Sequence, residues 1–105
     1  MTIRRARVLF SGRPAGILEE LEKGRRYLFS YDPSYPGPPV SLTMPVVERV
    51  FQFDRFPPFF DGLLPEGVLL EGLLRTLKID RDDCFSQLTA VGADLVGAVT
   101  VEAML

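Results

Sequence analysis

Histidine is missing from this 105-residue chain, and cysteine occurs only once. The commonest general base and the commonest metal ligand are therefore absent, and a single cysteine excludes both an internal disulfide and a zinc site built from several cysteines. Because Cys84 has no histidine to activate it, we expect a buried or inert thiol. These absences favour binding over catalysis, and neither a metal nor a cofactor is expected.

Catalytic and membrane-spanning patterns are lacking as well. The chain has no glycine loop ending in Lys-Ser or Lys-Thr, no kinase catalytic loop and no Gly-x-Ser-x-Gly elbow. Asp61 and Glu66 lie close in sequence, but roles at helix ends explain them better than an acid–base pair. No apolar run approaches the roughly 18 to 20 residues that cross a bilayer, and no signal peptide precedes the first strand. We expect a cytoplasmic, non-enzymatic protein without a membrane partner.

Charge is distributed unevenly along the chain. Residues 1–31 carry seven basic and three acidic groups, whereas residues 32–105 carry five basic and eleven acidic groups, for a net charge of −2. Arg4, Arg5 and Arg7 fit the solvated face of a strand better than a nucleic-acid footprint, which is normally broader. No direct contact with nucleic acid is expected.

Composition and periodicity predict one α+β domain spanning residues 1–105. Apolar residues make up 47% of the chain and charged residues 25%, as in ordinary globular domains. Apolar and polar residues alternate over residues 6–10 and 27–31, with turn residues at 11–14 and 23–24, whereas residues 17–21 are ambiguous. Short turns between strands predict a small antiparallel meander, because parallel strands need crossover helices.

The middle of the chain is rich in proline. Five prolines lie between residues 32 and 45, which excludes regular hydrogen bonding there and predicts an extended loop. This loop is either a stiffened connection or a polyproline ligand for an aromatic groove, and the first interpretation is favoured. Residues 46–53 are expected to return to the sheet as a strand.

Two to three helices are predicted to pack on this sheet. Pro57 and Pro58 suit a first helical turn, and Pro65 ends or kinks it. A longer helix follows, in which a stripe at helical spacing is assigned to the core. The stripe consists of Leu70, Leu73, Leu74 and Leu77.

The last part of the chain is predicted to hold one more helix and a strand. Asp82 or Asp83 caps a helix that runs through Leu88, and Gly92 after Val91 provides its C-terminal glycine. Residues 97–101 are expected to form the final strand. In that strand Ala98, Val99 and Val101 are largely buried.

One segment, residues 59–67, has the character of a recognition surface. It combines two apolar pairs with a proline, two glycines and two acids, and no generic helix requires this pattern. The apolar residues of this region allow two interpretations, since Leu63, Leu64 and Leu69 suit either the core or an exposed face.

Four sequence words in order resemble the N-terminal subdomain of HipA-type serine/threonine kinases, the toxins of bacterial toxin–antitoxin modules. They are Tyr27-x-Phe29-x-Tyr31-Asp32, Val40-Ser41-Leu42-Thr43-Met44-Pro45, the segment from Phe59 to Gly67, and Val91-Gly92-Ala93-Asp94 before Gly97-Ala98-Val99. Together they span nearly the whole chain. In the family this small domain packs beside the kinase core, and the kinase motifs lie outside it.

The resemblance implies a function as well as a fold. A free-standing domain of this kind is similar to HipS, the antitoxin of HipBST-type systems, which neutralises a HipT-like kinase that phosphorylates aminoacyl-tRNA synthetases. The implied partner is such a kinase, joined through the complex by a HipB-like DNA-binding protein. The alternative is the N-terminal regulatory subdomain of a longer HipA-like kinase. A DNA-contacting repressor is disfavoured by the acidic balance.

The residues expected at the kinase interface follow from the same resemblance. Many relatives have tryptophan directly after Leu-Pro-Glu-Gly, where this chain has Val68, and a neighbouring Phe59 or Phe60 is the candidate for the missing aromatic anchor. The predicted partner-binding residues are Phe59, Phe60, Asp61, Leu64, Pro65, Glu66 and Val68.

Overall fold

A computed structural model describes residues 3–95 and 97–104. Its five strands form one antiparallel sheet in the order β4-β3-β2-β1-β5. The strands are β1 (Arg4–Phe10), β2 (Arg13–Glu22), β3 (Arg26–Tyr31), β4 (Val50–Phe53) and β5 (Val99–Met104), and the helices are α1 (Pro58–Asp61), α2 (Gly67–Leu77) and α3 (Cys84–Val91). The predicted α+β class and the antiparallel meander are confirmed.

Alternation in the strands decides which face is buried. Ala6 and Val8 of β1 and Phe29 of β3 have no exposed surface, and they point to the same side because side chains alternate along a strand. The ambiguous residues 17–21 belong to β2, a ten-residue strand that pairs with both β1 and β3. Leu18 is therefore at the centre of the core.

The two edge strands differ from the prediction in detail. Residues 46–53 form a strand only from Val50 onward, because Val46–Glu48 is a 3₁₀ turn and Arg49 has a positive φ of 62°. In the final strand Val99 and Val101 are buried as expected. Ala98 was wrongly predicted to be buried; it precedes β5 and is exposed.

Three aromatic and apolar residues attach the proline-rich loop to the core. The Tyr31 hydroxyl accepts a hydrogen bond from the Val40 N–H at 3.0 Å and donates one to the Met44 carbonyl. The Tyr35 ring stacks on Tyr31 with centroids 5.9 Å apart. Tyr35, Val40 and Met44 are all buried. These contacts support the interpretation as a stiffened connection rather than a free polyproline ligand.

Helix α2 contradicts the prediction that its leucine stripe belongs to the core. None of its eleven residues, all of them described, is buried. Leu70, Leu73 and Leu74 are half-buried and Leu77 is 51% exposed. Periodicity identified an apolar face of α2 correctly, but the sheet does not bury that face. The buried helical side chains belong to α1 and α3 instead.

Arg4 ties the sheet to α3, although the sequence suggested a solvated strand face for it. Its guanidinium donates to Glu20 Oε1 at 2.7 Å, to Asp83 Oδ1 at 2.8 Å and to Ser86 Oγ at 2.8 Å, and it lies 5.0 Å from the centroid of the Phe85 ring. The charge of the buried Glu20 carboxylate is thus compensated, as burial of an ion requires.

Asp83 is the N-cap of α3. The sequence had predicted that either Asp82 or Asp83 would cap this helix. The Asp83 carboxylate accepts hydrogen bonds from the Ser86 N–H at 3.2 Å and from Arg4. Burial acts to raise the pKa of Asp83, but the bonds from Arg4 and Ser86 outweigh it and leave that pKa below its usual 3.8. A carboxyl whose folded pKa is depressed stabilises the fold above its unfolded pKa.

Asp83→Asn is expected to lower the free energy of unfolding by about 1 kcal/mol at pH 7, because asparagine keeps the cap but loses the charge opposite Arg4. In the wild type the contribution of Asp83 is lost as the pH falls through its folded pKa, so the variant should show a flatter acid limb. Urea unfolding between pH 2 and pH 7 measures both effects. The exposed neighbour Asp82 provides the control, and an Asp82→Asn variant with the same flattening would contradict the assignment.

Candidate docking surface

The two phenylalanines that open residues 59–68, hereafter the docking segment, have different environments. Phe60 has no exposed surface, and its ring lies 5.8 Å from that of Phe29 and 5.1 Å from that of Phe59. Phe59 is half-buried against the core. The structure therefore places Phe60 in the core, out of reach of a partner, and leaves Phe59 as the aromatic residue at the surface.

The turn after α1 exposes both carboxylates of the docking segment. α1 starts at Pro58, as expected for proline in a first helical turn. The Leu64 N–H bonds to the Asp61 carbonyl at 3.1 Å, so the chain reverses and packs Leu64 partly against the core. Pro65 is half-buried, and Asp61 and Glu66 are exposed. The carboxylate of Glu66 makes no cap hydrogen bond to α2.

The end of the docking segment is the most exposed apolar part of this region. Val68 is 88% exposed and Leu69 is 77% exposed. Leu63 and Leu64 pack partly against the core instead. Of the three leucines that suited either the core or an exposed face, Leu63 and Leu64 thus pack partly against the core, and Leu69 is exposed. Leu69 was not among the predicted partner-binding residues, although it is adjacent to Val68, which was.

Two further apolar side chains are exposed outside the docking segment. Leu42 is 96% exposed and Val47 is 87% exposed. Leu42 lies in a loop closed by a 2.8 Å hydrogen bond between the hydroxyls of Ser41 and Thr43. Thr43 and Phe59 line one shallow hollow of about 250 Å³. The loop therefore lies beside the docking segment, a neighbourhood that sequence alone did not reveal.

A separate apolar groove of about 550 Å³ lies across the face of the sheet opposite the core, where Arg7, Ile17, Ser30 and Val50 are cross-strand neighbours, and none of its lining residues belongs to the docking segment. Ile17 and Val50 line it together with Arg7 and Arg49. Arg7 pairs with Glu102 at 3.4 Å, and Arg49 donates to the Asp32 carbonyl. Both cations are engaged within the chain.

The single cysteine is half-buried at the start of α3. Burial raises the pKa of the Cys84 thiol, and the carboxylates of Asp61, Asp83 and Asp82 raise it further. These negative charges oppose the effect of the helix N-terminus, which by itself favours a thiolate. A raised pKa favours the protonated thiol, which is the less reactive form of cysteine.

Neither a metal cluster nor a membrane helix is found in the part of the chain that the structure describes. Within residues 3–95 and 97–104, no three or more carboxylate or cysteine side chains gather as metal ligands would. Among the helices of the same ranges, none combines the length and apolar character needed to cross a bilayer.

Comparison with known proteins points to one family. A family model described as the HipA N-terminal domain matches residues 6–102. An uncharacterized protein of Haemophilus influenzae is 35% identical over 100 residues, which cover 95% of this chain and 92% of that protein.

Two more similarities concern a longer protein and a solved structure. A Sinorhizobium fredii protein, Y4dM, whose name assigns it provisionally to the kinases, is 34% identical over 100 residues; the match covers 86% of this chain and 24% of that protein. The solved structure described as the N-terminal domain of HipA toxin superposes with a TM-score of 0.78 at 30% identity, covering 100% of this chain and 96% of that one.

Proposed function

Because the chain belongs to the family of HipA N-terminal domains, we propose that it is an antitoxin-type binding module that docks on a HipT-like serine/threonine kinase and inhibits it. The docking segment makes the contact through Phe59, Asp61, Leu64, Pro65, Glu66 and Val68. A HipB-like DNA-binding protein joins through the kinase and not through direct contact with this chain.

The observation that carries this proposal is the exposure of Val68 and Leu69 at one corner of a small domain. At 88% and 77% exposure, these neighbours present their apolar side chains almost entirely to water. Single exposed apolar residues are ordinary, but contiguous ones mark interaction sites. The half-buried Phe59, in the same segment, adds an aromatic surface of the type enriched at interfaces.

Charge at the same corner indicates the chemistry of the partner. Asp61 and Glu66 are exposed, and no ion pair of either is found among the described residues. A partner with basic side chains around an apolar depression complements this arrangement, and complementary charge increases the association rate and the specificity.

Val68→Asp is expected to weaken kinase binding at least tenfold, that is by about 1.4 kcal/mol or more, because the complex would bury an unpaired carboxylate. Stability of the free protein should change by less than about 0.5 kcal/mol, since the side chain is exposed. Isothermal titration calorimetry and urea unfolding measure the two effects.

Val47→Asp is the matched control. It makes the same substitution at a valine of equal exposure, 87%, outside the docking segment. Binding should remain within about threefold of wild type. Equal losses for both variants would contradict a contact centred on Val68.

Inhibition itself requires an activity measurement. We expect phosphorylation of an aminoacyl-tRNA synthetase by a HipT-type kinase to fall to background when this protein is added in saturating amounts. Addition of the Val68→Asp variant at the same concentration should leave most of the activity. An unchanged phosphorylation rate with saturating wild-type protein, once binding is verified, would reject inhibition.

A second function is favoured by the match to Y4dM, of which this chain covers 24%. In that case the domain is the N-terminal subdomain of a longer kinase, and the docking segment faces kinase domains in the same polypeptide. The reading frame of the gene discriminates between the two functions, because a kinase catalytic loop encoded in frame after codon 105 would identify the subdomain.

A further inference from the structure

Helix α2 has an outer side that the domain does not use. Its half-buried leucines face inward, and the opposite side presents Val68, Leu69 and Gly72, here called the outer ridge. All three are exposed, and the exposed charged residues Glu71 and Arg75 lie next to them on the helix. The three ridge residues are neighbours on the helix surface, because residues three and four apart share a face.

Gly72 has no structural explanation within the free domain. A methyl group added there would meet no atom within 4 Å, and its φ is not among the positive values that favour glycine. Glycine is nevertheless the poorest helix former after proline, and α2 is short, with no buried side chain to compensate. A glycine inside a helix also allows another backbone to approach closely.

Charge complementarity restricts what can approach this ridge. Residues 61–83 hold six carboxylates and three basic groups, and Arg4 pairs with one of these carboxylates, Asp83, which leaves a net charge of −2. Asp61 and Glu66 lie beside the N-terminal end of the ridge in sequence. A second copy of the chain would bring the same acidic residues to the contact, whereas a surface with basic groups would be attracted.

We propose that a main-chain segment of the partner kinase lies directly against Gly72, with basic side chains of the kinase facing Asp61 and Glu66. The inference rests on the proposed function and extends the contact from the docking segment along the outer ridge. Gly72 determines how closely the kinase backbone approaches, and Val68 and Leu69 fill apolar depressions on either side of it.

The test is a series of side chains of increasing size at position 72. Gly72→Ala and Gly72→Leu should both raise the thermal midpoint of the free protein, because both residues form helices better than glycine. Binding to a HipT-type kinase should nevertheless weaken, at least tenfold for alanine and further for leucine, because each added atom holds the kinase backbone away. Titration calorimetry measures affinity, and thermal unfolding shows that the variants fold.

Thr76→Ala is the control for helix stabilisation alone. Thr76 lies in the same helix one turn beyond Gly72 and outside the outer ridge. Alanine there improves helix propensity without adding bulk, so the thermal midpoint should rise while the affinity stays within about threefold of wild type.

Each other outcome overturns a defined part of the inference. If the wild-type protein binds the kinase and Gly72→Ala and Gly72→Leu bind it equally or more tightly, the kinase backbone does not lie against Gly72. The proposed function would then remain intact. Failure of the wild-type protein to bind the kinase would reject the proposed function and this contact together. A dimer of the wild-type chain alone that Gly72→Leu dissociates, seen by analytical ultracentrifugation, would show that a second copy covers the ridge instead.

Discussion

Replacing Gly92 with alanine is expected to lower the free energy of unfolding by about 3 kcal/mol or more. A methyl group at this position would overlap the carbonyl oxygen of Val101 and lie 2.7 Å from its carbonyl carbon. Val101 belongs to β5, which is held in register by its pairing with β1. Neither backbone can move without breaking the sheet or the end of α3. Urea unfolding at neutral pH measures the loss.

The matched control for Gly92 is the other glycine-to-alanine change already described, Gly72→Ala, which adds the same methyl group in open space. The two variants should shift stability in opposite directions. A loss below about 0.5 kcal/mol for Gly92→Ala would show that the contact between the end of α3 and β5 is looser than the structure indicates.

Phe60→Ala is expected to destabilise the protein by about 3–5 kcal/mol, the usual loss for a fully buried phenylalanine. Its ring has no exposed surface and packs against Phe29, so truncation leaves a cavity between α1 and the sheet. Because the free energy of unfolding of a small domain is only about 5–15 kcal/mol, this single change removes a large fraction of the stability. The midpoint and free energy of urea unfolding report it.

The adjacent Phe59→Ala variant separates a core role from a docking role. Phe59 is half-buried, so its truncation should cost about 1–2 kcal/mol of stability and should also weaken kinase binding under the proposed function. If the two alanine variants lost equal stability, the assignment of one ring to the core and the other to the surface would be wrong.

The strands and turns of this fold followed from local pattern. Alternation in residues 27–31 predicted which side chains of β3 are buried, and turn residues at 23–24 predicted the reversal before it. These features depend on neighbours within a few residues, which is why sequence reveals them. The start of α1 at Pro58 and the cap at Asp83 belong to the same class.

Features that depend on distant partners were not predictable in the same way. The prediction that Gly92 closes α3 is confirmed, since the helix ends at Val91 and Gly92 is its C-cap, but its φ of −58° is one that any residue can adopt. Its requirement for glycine arises from contact with Val101, nine residues later. Arg4 likewise contacts Asp83 and Ser86, some eighty residues away in sequence.

The candidate docking surface likewise has features that the local sequence predicted and features that depend on distant partners. The sequence singled out residues 59–67 by composition, but it did not separate Phe59 from Phe60, because α1 has only four residues and offers no measurable period. It also assigned the leucines of α2 to the core. An apolar stripe shows that a helix side avoids water, not what covers that side.

By itself, the amino-acid sequence determined the class of the fold, the positions of most strands and helix starts, and the absence of histidine-based or disulfide chemistry, since all of these depend on composition or on near neighbours. Tertiary structure alone decided which apolar side chains are exposed. Burial of Phe60, exposure of Val68 and Leu69, and the uncovered ridge around Gly72 depend on how much of each helix the sheet can reach. That reach is a property of the assembled layers and not of any local pattern.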